Sequence, residues 1–130
     1  MPPIARKNDS IVGLDTHVVM VPSPSGQVPT PMPFNFSGSI NGGLATSVKA
    51  DDLPVAVVGS TADNSPPHIP TGGSFQKSPK DKATVVDGSG TVFADDKKVA
   101  RKGDAADSCD DLGASKNAHV TGGSGTVVAG

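Results

Sequence analysis

The chain has 130 residues and a formal net charge of −2, and it contains no Trp, no Tyr and only four Phe. Leu, Ile, Val and Phe make up roughly a fifth of it, just above the ~20% below which chains usually stay disordered. A large aromatic core is thereby excluded, and the core of a single domain spanning residues 1–130 would be marginal without a further stabilising link such as a disulfide or a metal ion.

The distribution of charge and apolar residues excludes several classes of partner and location. Lys, Arg and Asp are interspersed along the chain, so no basic patch indicates nucleic acid or an anionic membrane surface as a partner. The first residues lack the apolar stretch of a secretory signal, and no apolar run is long enough to span a membrane. We therefore expect synthesis in the cytoplasm without a signal peptide.

The first predicted elements in the chain are extended. Residues 1–9 match the second half of a hairpin predicted further along, at residues 91–104. Residues 22–35 follow and are rich in proline, which fixes φ and has no backbone N–H. This segment predicts an extended polyproline conformation and excludes a central strand.

Two hairpins come next, at residues 47–60 and 91–104. Val and Thr favour strands, and the central pairs Asp51-Asp52 and Asp95-Asp96 tolerate the positive φ that a two-residue turn requires. The two segments align without a gap, so they are two copies of one hairpin.

A third copy is divided between the chain ends. Residues 126–130 match residues 91–95, and residues 1–9 match residues 96–104, so joining the last residue to the first reproduces the hairpin. The pattern predicts an all-β, closed, pseudo-threefold cone or prism in which the N- and C-terminal strands pair and leave no free edge. The intervening segments, residues 61–82 and 103–118, are long and turn-rich, with Gly or Pro in nearly every helical window, and such loops normally need something to hold them.

The few soft metal ligands of the chain follow the same repeat. His17 and His68 each lie twelve residues after an equivalent alanine, and Cys109 and His119 fall in the third unit. Three His and one Cys form a full tetrahedral zinc set, so we expect one structural zinc ion bound by these four residues. Asp15, Asp104 and Asp107 are candidates for outer or substitute ligands.

Other uses of these residues compete with a zinc site. Each His taken alone is more often a solvated loop residue, and the zinc hypothesis depends on all four residues fitting the repeat. Cys109 is the only cysteine, so it has no disulfide partner within the chain, and its use as a nucleophile beside His119 competes with its use as a ligand. The Gly-rich turns lack the Lys of a phosphate loop, and the Asp pairs of the hairpins indicate solvated turns. We therefore expect that the protein is not an enzyme.

The residues carry a resemblance to a known family. The segments Pro3 to Arg6 and Lys98 to Arg101, each followed by Lys and an Asp, together with three His and one Cys, resemble the PAAR-repeat proteins, named for a Pro-Ala-Ala-Arg motif. The resemblance covers essentially the whole chain and extends to the members found with phage-tail-like contractile particles. The chain departs from the motif where Val57 replaces Arg in the middle repeat and Lys98 replaces Pro in the last.

The resemblance implies a mechanical function. Proteins of this family cap and sharpen the trimeric central spike of a contractile injection system for membrane puncture, with a zinc near the point. It implies that His17, His68, Cys109 and His119 bind zinc, that a trimeric spike protein binds the wide base of the monomer, that effector cargo can be carried, and that the target membrane is contacted transiently. The protein would be assembled at the tip of a type VI secretion apparatus or a released particle. The alternatives are a zinc-dependent hydrolase and a free-standing metal-binding module.

Overall fold

The structure, a computed structural model that describes residues 1–130, is built from β-strands alone. The all-β prediction is confirmed, and no helix is present that could cross a membrane. In chain order the strands are β1 (Ser10–Ser23), β2 (Gly26–Gly42), β3 (Lys49–Ala50), β4 (Leu53–Pro54), β5 (Thr61–Asn64), β6 (Ser74–Phe75), β7 (Lys82–Val85), β8 (Phe93–Ala94), β9 (Lys97–Lys98), β10 (Ala105–Asp107) and β11 (Ala118–Val120).

Six of these strands close into an antiparallel ring. The pairs β1–β2, β5–β7 and β10–β11 form three two-stranded units, and the contacts β2–β5, β7–β10 and β11–β1 join the units to one another. The expected closure is therefore present. Since every strand of the ring is paired on both sides over part of its length, the ring offers no free edge there.

The two complete hairpins form as predicted. Strands β3 and β4 pair around Asp51 and Asp52, and β8 and β9 pair around Asp95 and Asp96. All four aspartates have a positive φ, between 51° and 66°. Such φ values at both central residues define the tight turn whose twist matches that of the flanking strands.

The N- and C-terminal segments pair with each other, as the split repeat predicts. Pro3 bridges Val128, and the Ala129 N–H donates to the carbonyl of Pro2 at 3.0 Å. The Ile4 N–H donates to the carbonyl of Val127 at 3.0 Å. The two ends of the chain thus supply the third hairpin region.

A closed cycle of backbone hydrogen bonds joins the three repeats at Ala5, Ala56 and Ala100. Ala5 donates to Ala100, Ala100 donates to Ala56, and Ala56 donates to Ala5, each at 2.9 Å. All three alanines are fully buried. The small side chain is required because three backbones approach one another at this level.

The core consists of two groups of apolar residues, and the three alanines of the cycle belong to the first. The group within the ring includes Ile11, Phe36, Ile40, Val85 and Val120. The group among the hairpins includes Ile4, Val55, Val57 and Val99. Phe36 is the only aromatic side chain in either group, so a chain this poor in aromatic residues fills a narrow interior with Ala, Val and Ile.

Carboxylates tie neighbouring hairpin regions together. Asp95 accepts hydrogen bonds from the Thr46 amide at 2.6 Å and from the Ser47 hydroxyl, and these bonds lower the pKa of the Asp95 carboxyl. Asp51 accepts bonds from the hydroxyls of Ser124 and Thr126, which lower its pKa in the same way.

The proline-rich residues 22–35 form a strand rather than a polyproline segment. They complete β1 and begin β2, whose first half pairs only with β1. Pro29, Pro31 and Pro33 alternate with the residues that bond to β1, so their N–H-free nitrogens all face the outer edge. The expected exclusion from a central position holds, since this part of β2 is an edge.

Candidate metal centre

A cluster of metal-ligand side chains lies at the end of the ring away from the hairpins. Each two-stranded unit runs from the hairpins to this end and back. Asp15 and His17 belong to β1, His68 lies between β5 and β6, and Cys109 follows β10. Closure of the ring therefore brings together side chains that are far apart in the chain, as the repeat predicts.

The donor atoms of the four residues all lie within 4.8 Å of one another. His68 Nε2 is 2.7 Å from Asp15 Oδ2, and Cys109 Sγ is 3.3 Å from the same oxygen. Cys109 Sγ is 3.6 Å from His17 Nε2. Asp15 and His17 are fully buried, and Cys109 is half-buried.

Strand geometry explains why β1 supplies two of these residues. Successive side chains of a strand point to opposite faces, so Asp15 and His17 share the inner face, and Thr16 between them does not. Just before them, β1 approaches β11 closely at Gly13, where a Cβ atom would lie 2.5 Å from that of Ala118. Glycine is needed at this point because any side chain would push the two strands apart.

The structure does not place His119 in the cluster. His119 lies in β11 between the buried Ala118 and Val120, so the alternation of the strand turns its imidazole outward, where it is exposed. Asp15, predicted as an outer or substitute ligand, lies in the cluster instead. The other two candidates are used elsewhere: Asp104 pairs with Arg101 at 2.9 Å, and Asp107 accepts the Lys116 amide at 2.6 Å.

Each of the three side chains other than Cys109 has a polar partner outside the cluster. Asp111 Oδ1 is 3.0 Å from His17 Nδ1, the Asn64 amide group is 3.2 Å from His68 Nδ1, and Asn117 donates to Asp15 Oδ1 at 3.3 Å. Sequence reasoning missed all three. Only Asp111 could have been found from the sequence, because it follows Cys109 by two residues and belongs to an Asp pair outside the hairpin turns.

Aromatic rings enclose the histidines. The His17 ring lies 5.6 Å from that of Phe34 and 5.8 Å from that of Phe75, in edge contact with both. The His68 ring lies 5.3 Å from that of Phe34. These contacts fix the ring planes and keep water away from the donor nitrogens.

Burial strongly perturbs the thiol. Desolvation, followed by the charge of Asp15, raises the pKa of Cys109 to about 12, while the backbone amides of Asp81 and Lys82 act in the opposite direction. Without a cation, Cys109 is therefore a neutral thiol beside a carboxylate. A divalent cation at the cluster would supply a positive charge that stabilises both the Asp15 carboxylate and the thiolate form of Cys109.

A cleft of about 140 Å³ leads from the surface to Cys109. Its rim carries Lys77, Ser78, Lys80 and Ser108. The cleft gives the cluster an entry path, which a metal site needs.

The donor set is suited to a metal ion. One carboxylate oxygen, two imidazole nitrogens and one thiolate sulfur are ligands that a borderline-soft divalent cation such as Zn²⁺ accepts. Asp15, His17, His68 and Cys109 could therefore hold a metal ion.

Comparison with protein-family models, with curated proteins and with solved structures gives no match.

Proposed function

We propose that the protein is a structural spike-tip protein, which caps the trimeric central spike of a contractile injection system and holds one zinc ion at Asp15, His17, His68 and Cys109. The observation that carries the proposal is the arrangement of three two-stranded units around the cycle of Ala5, Ala56 and Ala100, with hairpins at one end and the metal cluster at the other.

Three equivalent units in one monomer suit a partner with three identical subunits. A monomer whose units repeat around one axis can present one unit to each subunit of a homotrimer when the two axes coincide. The aligned positions after Ala5, Ala56 and Ala100 support such a repeat, because β1, β5 and β10 each begin five residues later, at Ser10, Thr61 and Ala105.

The hairpin end offers a surface for such a partner. Val48 and Val127 occupy aligned positions and are 39% and 36% exposed, and Phe93 and Val128 occupy the next aligned position and are 55% and 49% exposed. At each of these two positions, two of the three units expose an apolar side chain, and contiguous exposed apolar surface marks interaction sites. We place the contact with the trimeric spike protein on this surface.

The metal would act as a staple at the opposite end. The connections that carry His68 and Cys109 to this end have little secondary structure of their own. A bound zinc ion would tie three units together and contribute its binding free energy to folding. Four protein donors leave no open position for a substrate, which favours a structural role.

One observation favours a second candidate, a metal-dependent hydrolase: the cleft reaches Cys109 from solvent. A nucleophilic role for the metal-free thiol is disfavoured because Asp15 lies 3.3 Å from Sγ and the pKa of Cys109 is raised to about 12. Absorption spectra of the cobalt-substituted protein separate the candidates. Four protein donors without exchangeable water support the staple, and a water-bound, five-coordinate spectrum supports the hydrolase.

The spike contact is tested by co-purification with the trimeric spike protein encoded nearby. Val128→Asp adds a charge to the hairpin surface and is expected to weaken binding. Val28→Asp is the matched control, since Val28 is 47% exposed on β2, away from that surface. Absence of binding by the wild-type protein, or equal loss in both variants, would count against the proposed contact.

A further inference from the structure

The connection that carries Cys109 runs along the edge of β1 beyond the last residue paired with β11. The Asp111 N–H donates to the Thr16 carbonyl at 2.8 Å, and the Thr16 N–H donates to Asp110 Oδ1 at 2.5 Å. One short segment thus lies beside β1 at the level of the metal cluster and is held there by hydrogen bonds to both backbone groups of Thr16.

Asp111 is held at both carboxylate oxygens. Its Oδ2 accepts the Val18 N–H at 3.1 Å, and its Oδ1 lies 3.0 Å from His17 Nδ1. The Asp111 side chain is only 8% exposed and that of His17 is fully buried, so water does not compete for either contact. Because an ionised carboxylate only accepts hydrogen bonds, the proton of a neutral His17 lies on Nδ1.

This placement of the proton frees the other ring nitrogen. His17 Nε2 faces the cluster, 3.6 Å from Cys109 Sγ and 3.9 Å from Asp15 Oδ2. We propose that Asp111 is a positioning residue, which fixes the Nδ1–H tautomer of His17 and so presents its Nε2 lone pair to the metal. The inference rests on the metal centre of the proposed function and assigns a role that the cluster alone does not show.

Asp111→Asn is a sharp test because the surroundings determine how the amide sits. The Val18 N–H requires an oxygen at the Oδ2 position, so the amide nitrogen takes the Oδ1 position and donates toward His17 Nδ1. The His17 proton must then move to Nε2, where it opposes metal binding. Asp110→Asn is the matched control, because the Asp110 carboxylate accepts bonds only from the backbone amides of Thr16, Leu112 and Ala114.

Two measurements are made on the wild type and both variants. Zinc affinity is measured by competition with a chelator, and the His17 tautomer of the metal-free protein by ¹⁵N NMR. We expect Asp111→Asn to weaken zinc binding by about 10–100-fold, the range for loss of a carboxylate behind a ligating histidine. Asp110→Asn should keep the wild-type tautomer and an affinity close to that of the wild type.

The outcomes separate this inference from the metal centre itself. Unchanged affinity and an unchanged tautomer in Asp111→Asn would overturn it, as would an equal loss of affinity in both variants, which indicates a general effect on the connection. If the wild type binds no zinc, the metal centre fails. The tautomer of the metal-free protein still decides whether Asp111 orients His17.

Discussion

Asp15 occupies an unusual position for a carboxylate. It is fully buried, and its Oδ2 contacts both His68 Nε2 and Cys109 Sγ. A buried carboxylate is costly unless it is paired, and a cation bound at the cluster would provide that pairing.

Replacing Asp15 tests whether it is the fourth ligand of the proposed zinc ion. We expect Asp15→Asn to lower zinc affinity by more than about 100-fold, beyond the 10–100-fold range for the loss of an outer hydrogen bond at a zinc site. His119→Ala should leave zinc content and affinity unchanged, because the His119 side chain is exposed on the outer face of β11. Metal analysis of the purified variants, with chelator titration, checks both. A loss of zinc in His119→Ala would restore the ligand set expected from the sequence.

Zinc binding should depend on pH through Cys109. Its pKa is raised to about 12, so the free thiol is protonated at neutral pH and zinc must displace the proton. Zinc affinity is therefore expected to rise with pH, by about tenfold per unit from this group alone. Chelator titrations between pH 6 and 8 measure the slope in wild type and in Cys109→Ser, which should show a smaller slope.

The metal-free fold should show the opposite dependence. The folded thiol keeps its proton to a higher pH than the unfolded thiol, whose pKa is near the ordinary 9.0. Below about pH 9 the thiol is protonated in both the folded and the unfolded protein, and its contribution to stability is fully present. As the pH rises toward 12, ionisation of the unfolded thiol lowers the free energy of unfolding. Urea unfolding of the metal-free protein across that range measures the loss.

The sequence could predict His17, His68 and Cys109 but not the exchange of His119 for Asp15. The twelve-residue spacing after an equivalent alanine identifies His17 and His68, and Cys109 stands out because it is the only cysteine of the chain. A residue belongs to the metal cluster only if its side chain lies on the inner face of its strand. Side chains alternate between the two faces, so Asp15 shares the inner face with His17, whereas His119 lies on the face opposite to Ala118 and Val120. The partners Asn64 and Asn117 could not be found in this way, because they contact the cluster only through tertiary pairing.

At the scale of elements, the alanine cycle limits what the three repeats can accept. Ala5, Ala56 and Ala100 have no exposed surface, and each backbone bonds to the next at 2.9 Å. A larger side chain at any of them must displace two neighbouring repeats.

Ala100→Leu measures this constraint. Overpacking a filled core typically costs about 1–3 kcal/mol, so we expect a loss of that size in the free energy of unfolding. Ala114→Leu adds the same atoms in an exposed connection and should change stability little. Urea unfolding of both variants at saturating zinc checks the difference, and equal stabilities would show that the cycle has room to relax.

The hairpins and the long β1–β2 pair differ in how far the sequence predicts them. Asp-Asp turns between Val-rich segments are local signals, and β3–β4 and β8–β9 form at the predicted places. The sequence did not predict strand β2, because Pro29, Pro31 and Pro33 taken alone favour a polyproline conformation. Their alternation is compatible with a strand paired on one side, and only the partner β1 shows which side that is.

At the scale of the whole molecule, the pairing of the chain ends means that the fold does not depend on which repeat comes first in the chain. Pro3 bridges Val128, and Ala129 bonds to Pro2. The third hairpin is therefore held by the same kind of contact as the two continuous hairpins.

Circular permutation tests this closure. A variant that joins Gly130 to Met1 and opens between Ser25 and Gly26, in the exposed turn between β1 and β2, should fold and bind one zinc ion. A second permutant opened between Pro54 and Val55 should be far less stable, because Val55 is buried among the hairpins. Circular dichroism and zinc content provide the comparison, and failure of the first permutant alone would contradict the closed arrangement.

The closed ring also determines how the molecule would respond to a load applied along its strands. Strands β1, β5 and β10 leave the alanine cycle in one direction, and their partners return in the other, so a load between the hairpin end and the metal end acts along the strands. All the hydrogen bonds between two paired strands then act at once against sliding of one strand along the other. A strand peeled from a free edge would instead break its hydrogen bonds one at a time. Because each unit bonds to both neighbours, an off-centre load on one unit is shared by the other two. Resistance to such a load would thus come from the connectivity of the strands, and it would not require a large apolar interior.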